Sequence, residues 1–190
     1  MRMSVLEKTL VNRQGHTRKV AARAMNLLNR IDHPAGSRYL DVGCGVGAAA
    51  REISTTSQLH VTGVDVDPKQ IHAAQVAGES SNLHFQVMDA TRLEFGDGEF
   101  DIVASSMATH HIPNWERAIS EMARVLRRGG YLIYSDFAFW PWLARIARRI
   151  IRFVGFPTSN ALDSLAADAG LVKVYQSAVA GKTEAIWIKQ

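Results

Sequence analysis

The amino-acid sequence predicts an α/β domain: a Rossmann-like, doubly wound sheet of seven strands, mostly parallel with an antiparallel C-terminal edge strand, and helices on both faces. Three features of the chain carry that expectation. Short apolar runs alternate with stretches of helical periodicity, as they do when parallel strands are joined by helical crossovers. The first run ends in YLDVGCGVGAAA (39–50), with three glycines in five positions between a strand and a small-residue helix. The last two runs are separated by a short stretch around Ala180-Gly181-Lys182, room for an antiparallel turn but not for a crossover.

Each element has a local reason. Residues 17–30 set Val20, Ala24, Leu27, Leu28 and Ile31 on one side of a helix, which His33-Pro34-Ala35-Gly36 ends. A strand at 38–42 runs into the glycine turn, and a helix follows to Thr55. The second strand is 60–65; Asp67 caps the next helix, with Pro68 in its first turn. Strands follow at 83–88 and 100–105. Asn114 opens a helix expected to run to Arg128, where Gly129-Gly130 would stop it ahead of a fifth strand at 131–136. Helices are predicted over 141–153 and 159–169, the second closed by Gly170, and strands over 171–177 and 184–189.

The 190 residues, 47% hydrophobic and 21% charged, suit one domain. Its parts are an N-terminal helical arm (1–36), a core (37–136), a lid or acceptor-recognition insertion (137–158), and a closing helix and strand pair (159–190). A single cysteine, Cys44, excludes an internal disulfide and a cysteine-rich zinc site; no metal is assigned, and a reducing cytoplasm is the simplest setting. The opening residues lack the apolar core of a secretory leader, and no run reaches the ~18 apolar residues of a membrane span.

Charge is unevenly spread. Residues 1–38 hold eight Lys/Arg against two acids, 39–137 seven against thirteen, and 138–190 seven against three. An acidic middle suits a cationic ligand, whereas basic flanks suit either solvated helix faces or an anionic partner.

Ligands of doubly wound sheets bind beyond the carboxyl ends of the strands. Gly43, Gly45 and Ala48 satisfy G-x-G-x-x-[G/A], and Asp65 falls near the place of a ribose-binding acid, so the turn alone admits a dinucleotide. Asp41 and Asp89 argue for a different guest. With Asp65 they put three carboxylates on one sheet edge, which repels a pyrophosphate and favours a cation.

Five segments together resemble the class I S-adenosylmethionine-dependent methyltransferases, in particular the small domains related to the ubiquinone and menaquinone enzymes. They are LDVGCGVG (40–47), VTGVDVDP (61–68), FQVMDA (85–90), FDIVASSMATHHIPN (100–114) and EMARVLRRGGYLIYSD (121–136), in the family's order and spacing over residues 37–136. The resemblance implies S-adenosyl-L-methionine as cofactor and S-adenosyl-L-homocysteine as product. It implies that Gly43, Gly45 and Gly47 let the backbone pass beside the methionine moiety, while Asp41 faces its ammonium group. Asp65 would accept from both ribose hydroxyls. Val66 and Met88 would border the adenine, Asp89 would accept from its amino group, and the Ala90 N–H would donate to a ring nitrogen. Ser105 and Ser106 would lie near the sulfonium. Gly47 also suits plain helix–strand packing, and Cys44 is read as packing rather than as a nucleophile.

A sulfonium methyl is already activated, so alignment carries most of the catalysis and a base matters only for a protonated, weak nucleophile. His110 and His111, after the fourth strand, are the candidate bases, and Tyr134 and Asp136 are candidate linings of the acceptor pocket. The segment SSMATHH lacks the Asn/Asp-Pro-Pro-aromatic run of nucleobase amine methylation, and no Pro-Cys pair is present, so nucleic acid is disfavoured as acceptor. Residues 137–156, FAFWPWLARIARRIIRFVGF, put four arginines opposite an apolar helical face. That suits a lid over the acceptor, or contact with a membrane surface through 140–154. The expected activity is therefore methyl transfer to a small-molecule acceptor that is apolar, aromatic, or lipid- or quinone-like. The alternatives are an RNA methyltransferase and a non-catalytic regulator that binds S-adenosylmethionine.

Overall fold

The computed structural model describes residues 14–137, 155, 157–179 and 182–190. The first helix among the described residues, α1 (Gln14–Leu28), precedes strand β1 (Arg38–Val42). Then come α2 (Ala48–Thr56), β2 (His60–Asp65), α3 (Pro68–Val76), β3 (Leu83–Val87) and β4 (Phe100–Ser106). A 3-10 turn at Thr109–His111 leads into α4 (Trp115–Val125) and β5 (Leu126–Phe137). The chain closes with α5 (Ser159–Asp168), β6 (Leu171–Val179) and β7 (Lys182–Lys189).

The seven strands form one sheet in the order β3-β2-β1-β4-β5-β7-β6. Pairings among β3, β2, β1, β4 and β5 are parallel. Strand β7 is antiparallel to both neighbours, so it inserts between β5 and β6 and leaves β6 at the edge.

Strand alternation sends side chains to two cores. Tyr39, Val61, Phe85, Ile102, Ala104, Ile133 and Ile186 pack against α1, α2 and α3. Leu40, Val42, Val64, Val103, Leu132 and Tyr134 pack against α4 and α5. The helical period of Trp115, Ala118, Ile119, Met122 and Ala123 places all five on the buried face of α4.

Two expectations need correction. The helix opened by Asn114 stops at Val125, not Arg128, and Gly129-Gly130 do not stop it. Tertiary contacts override helical propensity here. Leu126 pairs with Phe100 in the sheet, Arg127 binds the Asp101 carboxylate, and Lys189 Nζ donates to the carbonyls of Ala123 and Leu126, both at 2.7 Å. The glycines instead kink β5, because a Cβ at position 130 would stand 2.6 Å from the Asp101 carbonyl oxygen. The closing strands are also longer than expected, and they pair from Val179–Lys182 outward. The helix expected over 141–153 lies outside the described residues. Among the described residues no helix is long and apolar enough to cross a membrane.

Candidate active site

The carboxyl ends of β1, β2, β3 and β4 converge on a cavity of about 370 Å³, in the size range of small-molecule sites. At one end is the glycine turn. The N–H groups of Gly43 and Cys44 both donate to the Val64 carbonyl, at 2.8 and 3.0 Å, and Gly47 N–H donates to the Cys44 carbonyl at 2.9 Å. All three glycines have positive φ, but for different reasons. A Cβ at Gly43 would overlap that of Ala108, and one at Gly47 would lie 2.5 Å from the Phe85 ring. Only a Cβ at Gly45 would meet open space within 4 Å, and Gly45 lines the cavity. Two of the three glycines therefore make room for the protein itself. The structure puts Gly47 against Phe85 rather than in the cavity wall.

The carboxylates follow. Asp41 is 4% exposed, and no described residue donates a hydrogen bond to it. Burial, then the neighbouring Asp65 charge, push its pKa up to about 7. Each Asp65 oxygen accepts one backbone N–H: Oδ2 from Gly45 and Oδ1 from Asp67, both at 2.9 Å. Asp89 is exposed at the same edge, its Oδ1 taking the Thr91 amide and hydroxyl at 2.8 Å each. Val66, Met88 and Ala90 line the wall between Asp65 and Asp89. Cys44 also faces the cavity, but burial and then Asp41 and Asp65 raise its thiol well above the usual range, which keeps it inert.

This donor set fits S-adenosylmethionine. A buried carboxylate beside a second one is costly until a cation arrives, and the apolar wall next to Asp65 suits a flat ring. The Ala90–Thr91 edge supplies a backbone segment beside the Asp89 carboxylate.

The other end of the cavity is the turn after β4. Ser106, Met107, Ala108, His111, Ile112, Pro113 and Asn114 line it. Met107 is the one described non-glycine residue with positive φ, 56°, and its N–H donates to the Ser135 carbonyl at 2.7 Å. Ser105, expected near the sulfonium, is 1% exposed and donates its hydroxyl to the Val42 carbonyl at 3.0 Å. It joins β4 to β1 from behind the wall.

The two histidines are separated by the structure. His111 lines the cavity, whereas His110 does not. The His110 Nδ1 lies 2.5 Å from Asp136 Oδ1, and its backbone N–H donates to Asp136 Oδ2 at 3.1 Å. Tyr134 and Asp136, proposed for the pocket wall, are buried instead, at 0% and 1% exposure. The Tyr134 hydroxyl donates to Thr109 Oγ1 at 2.7 Å, and Thr109 Oγ1 donates to Asp136 Oδ2 at 2.5 Å. Burial alone would raise the Asp136 pKa, but hydrogen bonds and charge from His110, with Thr109 and the Phe137 amide, hold it below the usual carboxylate range. The rings of His110 and His111 stack obliquely with centroids 3.9 Å apart. Gly155 N–H donates to the His110 carbonyl at 2.9 Å, tying the chain beyond residue 154 to this turn.

Some lining residues were not anticipated. Thr17 and Val20 of α1 close one side of the cavity, although periodicity assigned Val20 only to a buried face. Helical spacing reports which face is covered, not which sheet edge covers it.

Residues 40–134, half of the chain, match the family model described as "Methyltransferase domain". The chain is 37% identical over 111 residues to 27-O-demethylrifamycin SV methyltransferase of Amycolatopsis mediterranei, covering 56% of this chain and 41% of that protein. It is 36% identical over 105 residues to 2-methyl-6-phytyl-1,4-hydroquinone methyltransferase of Synechocystis, covering 55% and 33%. It thus spans less than half the length of these relatives. In solved structures, the fold recurs in the complex between the Haloferax volcanii Trm112 methyltransferase activator and a methyltransferase. The TM-score there is 0.77, with 20% identity over 96% of this chain and 97% of that one. On its motifs, its strand order and the family match, the chain belongs to the S-adenosylmethionine-dependent methyltransferase domains.

Proposed function

We propose that this protein transfers a methyl group from S-adenosylmethionine to a small-molecule acceptor with an apolar or aromatic body, lipid- or quinone-like in character. One observation carries the proposal: a single cavity joins the Asp41–Asp65 carboxylate pair and the open face of Gly45 to the apolar, histidine-bearing wall at 106–114. The relatives' names point the same way, since one acts on a demethylrifamycin and another on a phytyl hydroquinone.

The residues divide the work. Asp41 would neutralise the cofactor's ammonium group and Asp65 would hold its ribose through charge-assisted hydrogen bonds. Gly43, Gly45 and Ser106 would border the methionine moiety, and Val66, Met88, Asp89 and Ala90 the adenine. Gly47 and Ser105 would act from behind the wall, one by packing on Phe85 and the other by fixing Val42. When bound, S-adenosylmethionine supplies an activated methyl on sulfur. His111, in the cavity wall, would take a proton from an acceptor hydroxyl, and His110 would hold the turn through Asp136.

The alternatives fare less well. An RNA acceptor is less favoured because two of the N-terminal arginines are engaged within the domain, Arg23 with Glu184 at 2.7 Å and Arg30 over the Tyr175 ring at 4.3 Å, which leaves Arg18 and Lys19 as the exposed cations of α1. A purely regulatory binder has no use for an apolar wall with a histidine beside the cofactor carboxylates. A cytoplasmic setting is part of the proposal and rests on the single, unpaired Cys44.

The test is methyl-label transfer from radioactive S-adenosylmethionine into fractionated metabolites, with mass spectrometry of the labelled species. Label in an apolar or aromatic small molecule is the expected result. Label in RNA, or none in any fraction, contradicts the proposal.

A further inference from the structure

We infer that Arg51 is a positioning residue for the cofactor: it never touches the ligand but fixes the glycine turn that does. This rests on the cofactor reading above. Arg51 lies one turn into α2 and is half-buried. Its Nη2 donates to the Val46 carbonyl, inside the turn, and its Nη1 donates to the Ala74 carbonyl in the last turn of α3 at 3.0 Å. The guanidinium also sits over the Phe85 ring, 5.8 Å from its centroid, and that ring fills the space beside Gly47. One planar fork thus ties the turn to α3 and β3.

The acceptors of the turn's N–H groups are on or beside β1 and β2, and the Gly47 carbonyl takes the Arg51 amide at 3.0 Å in the first turn of α2. Val64 takes the N–H groups of Gly43 and Cys44, Asp65 takes that of Gly45, and Cys44 takes that of Gly47. The Val46 carbonyl is held from the far side, by Arg51 alone among the described residues. A turn with three glycines at positive φ has much freedom to lose, so its anchors decide how well Gly45 is presented. Arg51 itself is outside the cavity wall, whereas Val46 and Gly45 are in it.

Electrostatics makes the inference sharp. Removing a cation from beside a cation-binding site strengthens binding by Coulomb's law alone, and more for S-adenosylmethionine, with its extra sulfonium charge, than for S-adenosylhomocysteine. Loosening the turn weakens both ligands equally. The two accounts therefore predict opposite signs.

The experiment compares the wild type with Arg51→Met, which keeps the stem over Phe85, and Arg51→Lys, which keeps the charge but can reach only one carbonyl. Both ligands are titrated by calorimetry, and amide hydrogen exchange is followed at residues 45–47 without ligand. Expected is a weakening of about ten-fold for both ligands in Arg51→Met, a smaller one in Arg51→Lys, and faster exchange at 45–47 in both variants. Unchanged or tighter binding in either variant, or a change confined to S-adenosylmethionine, overturns the inference. Should Arg51→Met not fold, Arg51→Lys decides alone by the same criteria. A wild type that binds neither ligand overturns the cofactor reading as well. A wild type that binds both while the variants match it overturns only the role of Arg51.

Discussion

The two ends of the cavity are built in different ways. At the cofactor end the turn at 43–47 is held by Val64 and Asp65, on the adjacent strand, and by Arg51, on the helix that follows it. At the acceptor end the turn at 109–111 is held by Asp136, 26 residues along the chain, and by Gly155 further still. The first end is a fixed receptor whose charges await a ligand. The second is a surface turn fastened to a buried carboxylate that already has all its donors. A site whose polar groups are satisfied internally is free to vary in what it faces, and one with two neighbouring carboxylates, one of them deeply buried, is committed to a cation.

The difference can be broken at its strongest point first. Asp136→Ala leaves the Thr109 hydroxyl, the His110 ring and two backbone amides without their acceptor in a buried place. Stability should fall by about 3–5 kcal/mol, read from the urea midpoint, while the folded fraction binds S-adenosylhomocysteine as the wild type does. Equal loss at both ends would show that the ends are not separable.

Asp41→Asn should act in the opposite sense. Because burial raises the folded pKa to about 7 from the ordinary 3.8, unfolding releases a proton between those values, and ligand-free stability falls as pH rises through that window. The asparagine variant lacks this loss, so at pH 8 it should be more stable than wild type by on the order of 2–4 kcal/mol, yet bind the cofactor more weakly. Chemical denaturation across pH checks the first part and calorimetry the second. In wild type, binding near pH 7 should release a proton, visible as a buffer-dependent heat.

Smaller effects sharpen the contrast. Asp65→Ala should weaken both cofactor ligands about ten-fold or more, since it removes the ribose acceptor and frees the Gly45 amide. His111→Ala should lower the rate with little change in melting temperature. His110→Ala should lower the melting temperature more, because its ring is fastened to Asp136. Both histidine variants should keep cofactor affinity within about two-fold, read by calorimetry.

Position along the strands decides what the sequence shows. The glycine turn, Asp41, Asp65 and Asp89 are legible because each sits at the end of a strand whose apolar run is visible, and strand ends define the ligand edge of such sheets. Asp67 as the cap of α3, its carboxylate accepting from the Lys69 amide, is legible because it stands just past the end of β2 with Pro68 after it. The histidine doublet is legible as a pair, but its division of labour depends on Asp136 and so on the register of β4 against β5. Ser105 is ambiguous in the sequence because a hydroxyl at a strand end can face the ligand or reach back to a neighbouring carbonyl, and here it donates to the Val42 carbonyl. The end of α4 misleads because Leu126 and Arg127 extend the helical pattern while their partners, Phe100 and Asp101, lie on a strand about 26 residues earlier. The role of α1 in closing the cavity has no local signal at all.

The account rests on a charged receptor built before its ligand arrives, and the direct measurement is calorimetric titration of the folded wild type with S-adenosylmethionine and S-adenosylhomocysteine. The prediction is saturable binding of both at one site per chain, lost in large part on Asp65→Ala and retained on His110→Ala. Folded protein that takes up neither compound would contradict it.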